Sequence, residues 1–178
     1  MQVNYFGALR LTMGFLPGMV QRKSGHVVNI STIGVLTNVP RFSAYIASKA
    51  AMEAWTRCAA SEFLDRDVHF TTVNMPLVRT AMIAPTKFYE HIPALSPEEA
   101  ADLVIEAIVK RPSRSATPLG IFGQVSHALT PRFAQIVMNT AFRMFPESAA
   151  ATGDKDATDA PPSADEIAFA MLMRGLHL

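Results

Sequence analysis

Cysteine is almost absent from this chain: Cys58 is the only one among the 178 residues. A single cysteine cannot close a disulfide within the chain or supply a cluster of thiolate metal ligands. We therefore predict a reducing, cytoplasmic location. The five histidines are scattered without the spacing of metal ligands, so we also predict that no metal is bound.

Charge of either sign is equally scarce. Charged side chains make up 17% of the residues, with 16 Lys and Arg against 15 Asp and Glu. Nucleic-acid binding depends on clustered basic side chains, and this balance gives it no support. Hydrophobic residues make up 49%, and a chain of this length can bury one hydrophobic core.

An unbroken apolar run of membrane-spanning length is missing as well. Residues 3–20 are mostly apolar, but Asn4, Arg10 and Pro17 interrupt them, and no basic segment precedes them as in a signal peptide. Of the two alternatives, a membrane span and a buried amphipathic helix, the interruptions favour the helix. Because no strand precedes this helix, we expect a truncated frame or an excised domain.

The remaining sequence alternates between helix and strand patterns. Helices are predicted at residues 1–22, 43–64, 96–110 and 131–145. Strands are predicted at residues 26–30, 68–74 and 117–121, and loops at residues 31–42 and 80–95. Residues 147–164 are small, acidic and proline-bearing. They predict a flexible linker between a domain at 1–146 and a short C-terminal helix or tail at 165–178.

This alternation predicts an α/β fold, in which a parallel sheet with right-handed crossovers carries helices on both faces. Three strands are fewer than such sheets usually contain. The first strand should therefore expose an unpaired hydrophobic edge. We expect N-terminal strands of the sheet to be missing.

Tyr45 and Lys49 are four residues apart on one predicted helix, so their side chains share a face. An ammonium close to a phenol stabilises the phenolate and lowers its pKa, which makes proton exchange with a substrate carbonyl feasible near neutral pH. A solvated pair of helix residues has the same spacing. The pair is therefore weak evidence by itself.

Three further features support a reactive pair. Ser31 and Thr32 follow the first predicted strand, at the carboxyl end of the sheet, where open α/β proteins bind ligands. Asn4 lies among apolar residues of the first helix and requires a polar partner. Residues 74–80 follow the next strand and should reach the same end of the sheet.

Four segments together resemble the short-chain dehydrogenase/reductase family in order and spacing. They are NYFG at 4–7, VVNIST at 27–32, YIASKAA at 45–51 and PLVRT at 76–80. The resemblance covers residues 1–80 well and implies the C-terminal half of a Rossmann-like domain. It also implies an NAD(P)-dependent oxidoreductase that reduces a small-molecule carbonyl substrate by hydride transfer.

The resemblance assigns roles to residues by position. It makes Tyr45 the general acid/base, while Lys49 lowers its pKa and holds the nicotinamide ribose. It makes Asn4 the residue that positions a proton-relay water. Besides Tyr45 and Lys49, it implies cofactor contacts from three residues of one segment, namely Pro76, Val78 and Thr80.

The sequence departs from the family pattern at two positions. Thr32 stands where the family usually has serine, and Ser31 precedes it, so either hydroxyl could face the substrate. The spacing to Tyr45 and to Pro40 favours Thr32. Leu77 replaces the glycine that commonly follows the proline, which could reshape the nicotinamide end of the cofactor site.

A narrower resemblance links the chain to the reductase domain of bacterial fatty acyl-CoA reductases. It is carried by MPLVRTAMIAPTK at 75–87, PRFSAY at 40–45 and GIFG at 120–123. It implies reduction of a fatty acyl-CoA or fatty aldehyde, with NADP(H) favoured over NAD(H). The helix at 131–145 suits a long acyl chain, although core packing explains its apolar residues equally well.

The family's glycine-rich turn is absent, because the nine glycines never form the fingerprint that opens a helix after a strand. Without it, the cofactor pyrophosphate has no helix N-terminus to bind. If these 178 residues are the whole product, we expect negligible cofactor affinity, poor folding and no activity.

A non-catalytic alternative is an inactive fragment that serves as an oligomerisation module. Its homo-oligomer would form through the helices at 1–22 and 43–64. The second of these presents a small face made of Ala47, Ala50, Ala51 and Ala54. Peripheral membrane attachment through the helix at 131–145 is a weaker alternative, since that helix lacks a strongly basic polar face.

Overall fold

The computed structural model describes residues 1–81, 83 and 93–144. Its centre is a parallel sheet of three strands in the order β1-β2-β3. The strands are β1 (Gly25–Thr32), β2 (Val68–Met75) and β3 (Arg114–Ser115). The predicted α/β class with a parallel sheet is confirmed.

The described ranges contain six α-helices. They are α1 (Ala8–Gln21), α2 (Gly34–Thr37), α3 (Ser43–Glu62), α4 (Pro97–Lys110), α5 (Pro118–Leu129) and α6 (Pro131–Met144). A π-helical turn at Gln2–Gly7 precedes α1, and a 3₁₀ turn at Leu64–Arg66 follows α3. Turns of π-helix are rare and often occur at functional sites.

Helices cover both faces of the sheet, as predicted. Leu16 of α1 and Ala59 of α3 pack with Val68 and Phe70 of β2 in one buried cluster. Successive residues of a strand point to opposite faces, so alternate residues such as Val68 and Phe70 share one. Val73 accordingly lies on the other side of β2, where it and a residue of α4 line one small cavity.

The start of α4 shows how local sequence sets an element. The Ser96 hydroxyl accepts a hydrogen bond from the Glu99 amide at 3.1 Å, and the Glu99 carboxylate accepts one from the Ser96 amide at 2.7 Å. This reciprocal capping box satisfies two amides that the helix cannot pair internally. The predicted helix start is therefore confirmed.

The predicted strand at 117–121 is wrong. Thr117 instead caps α5, because its hydroxyl accepts a hydrogen bond from the Gly120 amide at 3.2 Å, and Pro118 occupies the first helical turn. A capping threonine followed by proline is a strong helix start, and it outweighs the apolar run behind it. The third strand is β3, which lies just before this segment.

The helix α1 ends at Gln21, close to the predicted end, and Lys23 adopts the left-handed conformation just beyond it, at φ 50°. Gly25 begins β1, where a Cβ atom would lie 2.7 Å from the Met19 side chain. The glycine therefore permits close approach of α1 to β1. The predicted loop at 31–42 contains the short helix α2.

Several predictions fall outside the described residues. These are most of the loop at 80–95, the linker at 147–164 and the tail at 165–178. The two ends of the loop are paired, because the Arg79 amide donates to the Leu95 carbonyl at 2.9 Å. Within the described ranges, β1 pairs with β2 alone, and Ile30 on β1 is 42% exposed.

Two glycines of the 120–123 segment let α5 pack closely on α2. A Cβ atom on Gly120 would lie 2.9 Å from Cδ1 of buried Leu36 and 3.0 Å from Cγ1 of Ile33. A Cβ atom on Gly123 would lie 2.9 Å from Cγ2 of Thr37. The helix that follows β1 and the helix that follows β3 are thereby held together.

We expect Gly120→Ala to lower the free energy of unfolding by about 2 kcal/mol, because the added methyl overpacks a buried contact. Gly14→Ala is the matched control. A Cβ atom there has nothing within 4 Å, and alanine favours a helix interior by up to about 1 kcal/mol. Urea denaturation measures both changes, and a stabilised Gly120→Ala variant would contradict the close packing.

At the amino end of the sheet, burial lowers the pKa of the His26 imidazole below its usual range, with smaller contributions from the positive charges of Arg111 and His69. The Thr71 hydroxyl donates to the Pro112 carbonyl at 2.5 Å, so it accepts from Nε2 of His26 at 2.9 Å. This chain of bonds holds neutral His26 in the tautomer protonated at Nε2.

Folding should therefore be less favourable below pH 6.5. His26 takes up a proton at higher pH in the unfolded chain than in the folded one, so its contribution is complete above the unfolded pKa and is lost as the pH falls. Urea denaturation between pH 7.5 and 5.5 should show a shallower decline for His26→Gln. Exposed His127→Gln is the control, and equal slopes for all three proteins would contradict this.

Candidate active site

Lys49 of α3 reaches the carboxyl half of β1. Its Nζ donates a hydrogen bond to the Ile30 carbonyl at 2.9 Å. Partial burial of the ammonium lowers the pKa of Lys49 from its usual range. Ile30 and Thr32 are about 7 Å apart along the strand. The ammonium is thus fixed near the sheet end where ligands bind in open α/β folds.

Tyr45 lies in the first turn of α3, and 43% of its surface is exposed. It precedes Lys49 by four residues of one continuous helix, so both side chains leave the same face, as predicted. The next residue, Ile46, borders α2: a Cβ atom on Gly34 would lie 3.6 Å from Cδ1 of Ile46 and 3.5 Å from Oγ1 of Thr32. Ile46 and Thr32 therefore both border Gly34, the first residue of α2.

The two candidate hydroxyls have different surroundings. Thr32 ends β1, is partly exposed and accepts a hydrogen bond from the Gly34 amide at 3.2 Å. Ser31 is 6% exposed, and its hydroxyl donates to buried Glu53 at 2.5 Å. The Ser31 hydroxyl, the weaker alternative, is therefore engaged in a buried hydrogen bond, whereas the Thr32 side chain is partly exposed.

Asn4 has the polar partner that its apolar setting requires. Its Nδ2 donates to the Ser48 hydroxyl at 3.1 Å, and that hydroxyl donates to the Tyr45 carbonyl at 2.6 Å. Asn4 lies in the π-helical turn, whose wider winding follows from the Met1 carbonyl accepting from the Tyr5 and Phe6 amides. The chain of bonds ties this turn to the turn of α3 that carries Tyr45.

Glu53 is the main residue of the region that the sequence reasoning missed. It is 3% exposed, and its Oε1 accepts from the Ser31 hydroxyl at 2.5 Å and from Nδ2 of Asn74 at 2.6 Å. Its Oε2 lies 3.8 Å from the guanidinium groups of Arg57 and Arg114. One carboxylate therefore connects α3 to all three strands. The sequence does contain a signal for this buried residue, because Glu53 occupies a position of α3 at which the helical periodicity predicts an apolar side chain.

The segment after β2 reaches the same end of the sheet. Asn74 is 1% exposed and also donates to the Thr32 carbonyl at 3.3 Å, while its Oδ1 has no hydrogen-bond partner among the described residues. Pro76 is buried, Val78 forms a β-bridge with Leu95, and Thr80 is exposed. Their predicted cofactor contacts stay predictions.

Comparisons with known proteins identify the family. The sequence pattern described as short chain dehydrogenase matches residues 1–88. A fatty acyl-CoA reductase of Acinetobacter baylyi is 50% identical over 177 residues, which are 99% of this chain and 59% of that protein. This chain belongs to the short-chain dehydrogenase/reductase family.

Other members give a consistent picture. An uncharacterised oxidoreductase of Mycobacterium bovis is 45% identical over 99% of this chain and 52% of its own length. A short-chain dehydrogenase structure from Streptomyces avermitilis has a TM-score of 0.59 at 27% identity and covers 79% of this chain and 60% of that one. A Burkholderia cenocepacia structure, at 23% identity and a TM-score of 0.67, shares the fold.

This chain spans 59% of the length of the Acinetobacter reductase and 52% of the length of the Mycobacterium bovis oxidoreductase. In the part of the chain that the structure describes, no helix combines the length and apolar character needed to cross a bilayer.

Proposed function

We propose that this chain carries the proton-transfer half of a nicotinamide-dependent reductase acting on a carbonyl, with fatty acyl-CoA or fatty aldehyde as the substrate class. The observation that carries the proposal is the Lys49 ammonium, which is bonded to the carbonyl of Ile30, two residues before Thr32, and lies one helical turn beyond an accessible Tyr45.

The donors present fit a nicotinamide nucleotide. An ammonium has three N–H donors, and the Ile30 carbonyl uses one of those of Lys49. The others suit the hydroxyls of a ribose. Pro76, Val78 and Thr80 follow β2 at the same end of the sheet and would border the nicotinamide. When bound, this cofactor supplies the hydride that reduces the carbonyl carbon.

The chain's own residues would supply the proton and hold the carbonyl oxygen. Thr32 accepts from the Gly34 amide, so its hydroxyl proton points elsewhere and can be donated to the substrate oxygen. Tyr45 would donate its phenolic proton to the same oxygen as negative charge develops there. Lys49 would stabilise the phenolate that remains. Asn4 and Ser48 would hold the Tyr45 turn in place.

The acyl substrate class is supported by two relatives. Besides the Acinetobacter protein, a fatty acyl-CoA reductase of Mycobacterium tuberculosis is 42% identical over 139 residues, which are 78% of this chain. NADP(H) remains the proposed cofactor and NAD(H) the alternative. The proposed place of reaction is the cytoplasm, where exposed Cys58 would stay reduced.

The test compares two proteins. One is this chain, and the other, called here the complemented chain, is this chain joined to the part of the Acinetobacter relative that it does not cover. Oxidation of NADPH or NADH is followed with palmitoyl-CoA, hexadecanal and acetone. We expect turnover of the long-chain substrates by the complemented chain and none by this chain. Reduction of acetone alone would contradict the substrate class, and no turnover at all would contradict the function.

An oligomer is a second proposal, favoured by exposed apolar side chains on α1, where Leu11 is 65% and Phe15 is 63% exposed. Exposed Ala47 and Ala54 on α3 would allow close approach of a second copy. Light scattering should then show a dimer of the complemented chain that Phe15→Glu dissociates. A monomer at all concentrations would exclude it.

A further inference from the structure

The helices α5 and α6 form a hairpin whose outer surface is apolar. Phe122 is 68%, Leu129 77%, Phe133 63% and Ile136 60% exposed. On α5 the exposed residues recur at intervals of three and four residues, and on α6 likewise, so each helix presents one stripe. We call this the hairpin surface; its residues are Phe122, Val125, Leu129, Phe133, Ile136 and Val137.

The charged side chains of the hairpin itself have one sign. Between Glu106 and Glu147 the sequence contains no acidic residue, so the hairpin's charged side chains are arginines. Arg132 precedes Phe133 in α6, and Arg143 lies three turns later on the same side of the helix. Both are exposed. Although α6 by itself lacks a strongly basic polar face, the hairpin combines these two arginines with the apolar stripes of two helices, and cations beside an apolar surface are typical of segments that lie in the interface of a membrane.

The hairpin is fixed beside the candidate active site. Gly120 and Gly123 hold α5 against α2, which directly follows Thr32. Arg41, in the loop before α3, contacts the Phe142 ring of α6 at 4.4 Å from its centroid and donates to the Phe142 carbonyl at 3.3 Å. A ligand of the hairpin surface would therefore lie near the carboxyl end of the sheet.

We propose that the hairpin surface binds an anionic membrane, with both helices lying in the lipid interface. Anionic headgroups complement Arg132 and Arg143, and the acyl region complements the exposed aromatic and aliphatic side chains. A second copy is a poorer occupant, because a two-fold dimer would place each basic surface against itself. The proposal concerns attachment and does not depend on the proposed reaction.

The test is flotation with lipid vesicles. This chain and the complemented chain are each mixed with vesicles of phosphatidylcholine, with or without phosphatidylserine, and no cofactor is needed. We expect both proteins to float with the vesicles that contain phosphatidylserine and to be released by high salt, which screens the arginines.

Variants locate the contact. Phe122→Ser and Leu129→Ser should each weaken binding about ten-fold, since each removes an apolar side chain from the lipid. Arg132→Gln should weaken binding about five-fold, and only to vesicles that contain phosphatidylserine. Leu64→Ser is the matched control, because Leu64 is 78% exposed but lies at the amino end of β2. Circular dichroism checks that every variant is folded.

Four results would overturn the proposal. The first is that neither protein floats, and the second is that Leu64→Ser weakens binding as much as Phe122→Ser. The third is that other residues cover the surface. This would be shown if this chain floated and the complemented chain did not, or if neither floated until the chain was shortened to end at Pro146. The fourth is a wild-type dimer that Leu129→Ser dissociates.

Discussion

Replacing Tyr45 with phenylalanine is expected to lower kcat of the complemented chain about 1,000-fold. The substitution removes only the phenolic oxygen, so the proton donor is lost while the ring and the helix remain. Such a loss corresponds to about 4 kcal/mol of transition-state stabilisation. The measurement is the rate of NADPH oxidation with hexadecanal at saturating substrate.

The same variant should bind NADPH almost as tightly as the wild type in a titration, because the proposed role of the phenol is in the chemical step. Tyr5→Phe is the matched control: it removes the same hydroxyl from the π-helical turn and should leave kcat within about two-fold. If Tyr45→Phe kept wild-type turnover, another group would have to supply the proton.

Replacing Glu53 with alanine should have the largest effect on stability, a loss of about 3 kcal/mol in the free energy of unfolding. The substitution leaves the Ser31 hydroxyl and Nδ2 of Asn74 buried without their acceptor. Arg57 contributes less to the loss, because its side chain is 61% exposed and therefore hydrated. Urea denaturation gives the number directly.

Two further variants distinguish the loss of this hydrogen-bond network from the effect of removing any carboxylate. Glu53→Gln keeps the size of the side chain and an oxygen that can accept from Ser31 and Asn74, but it turns an amide donor toward the guanidinium groups of Arg57 and Arg114, so an intermediate loss is expected. Glu62→Ala, on an exposed position near the end of α3, should change stability by no more than about 0.5 kcal/mol. If Glu53→Ala were as mild as Glu62→Ala, the network would be dispensable.

The elements that sequence predicted correctly are those whose signals are local. The capping residues before α4 and the β-branched run of β1 predict their structures without knowledge of the rest of the chain. Thr117 and Pro118 carry the same kind of local signal, but the apolar run that follows them is equally typical of a buried strand. Two-residue β3 carries too little sequence to predict a strand.

The sequence predicts those features of the site that depend only on the spacing of residues within one helix or strand. Tyr45 and Lys49 share a helix, so their common face follows from an interval of four residues. Contacts between distant segments did not follow from spacing. Two hydrogen bonds depend on the register between α3 and the sheet, which a single sequence does not reveal. They are the bond from Lys49 to the Ile30 carbonyl and the bond from Ser31 to Glu53.

The most direct test of the central claim is a double-mutant cycle of Tyr45→Phe and Lys49→Met, with kcat measured in the complemented chain. If the ammonium acts by stabilising the Tyr45 phenolate, Lys49→Met should slow the wild type about 100-fold yet slow the Tyr45→Phe variant by less than about three-fold. Losses that multiply in the double variant would show that the two side chains act independently, and would contradict the proposed proton-transfer pair.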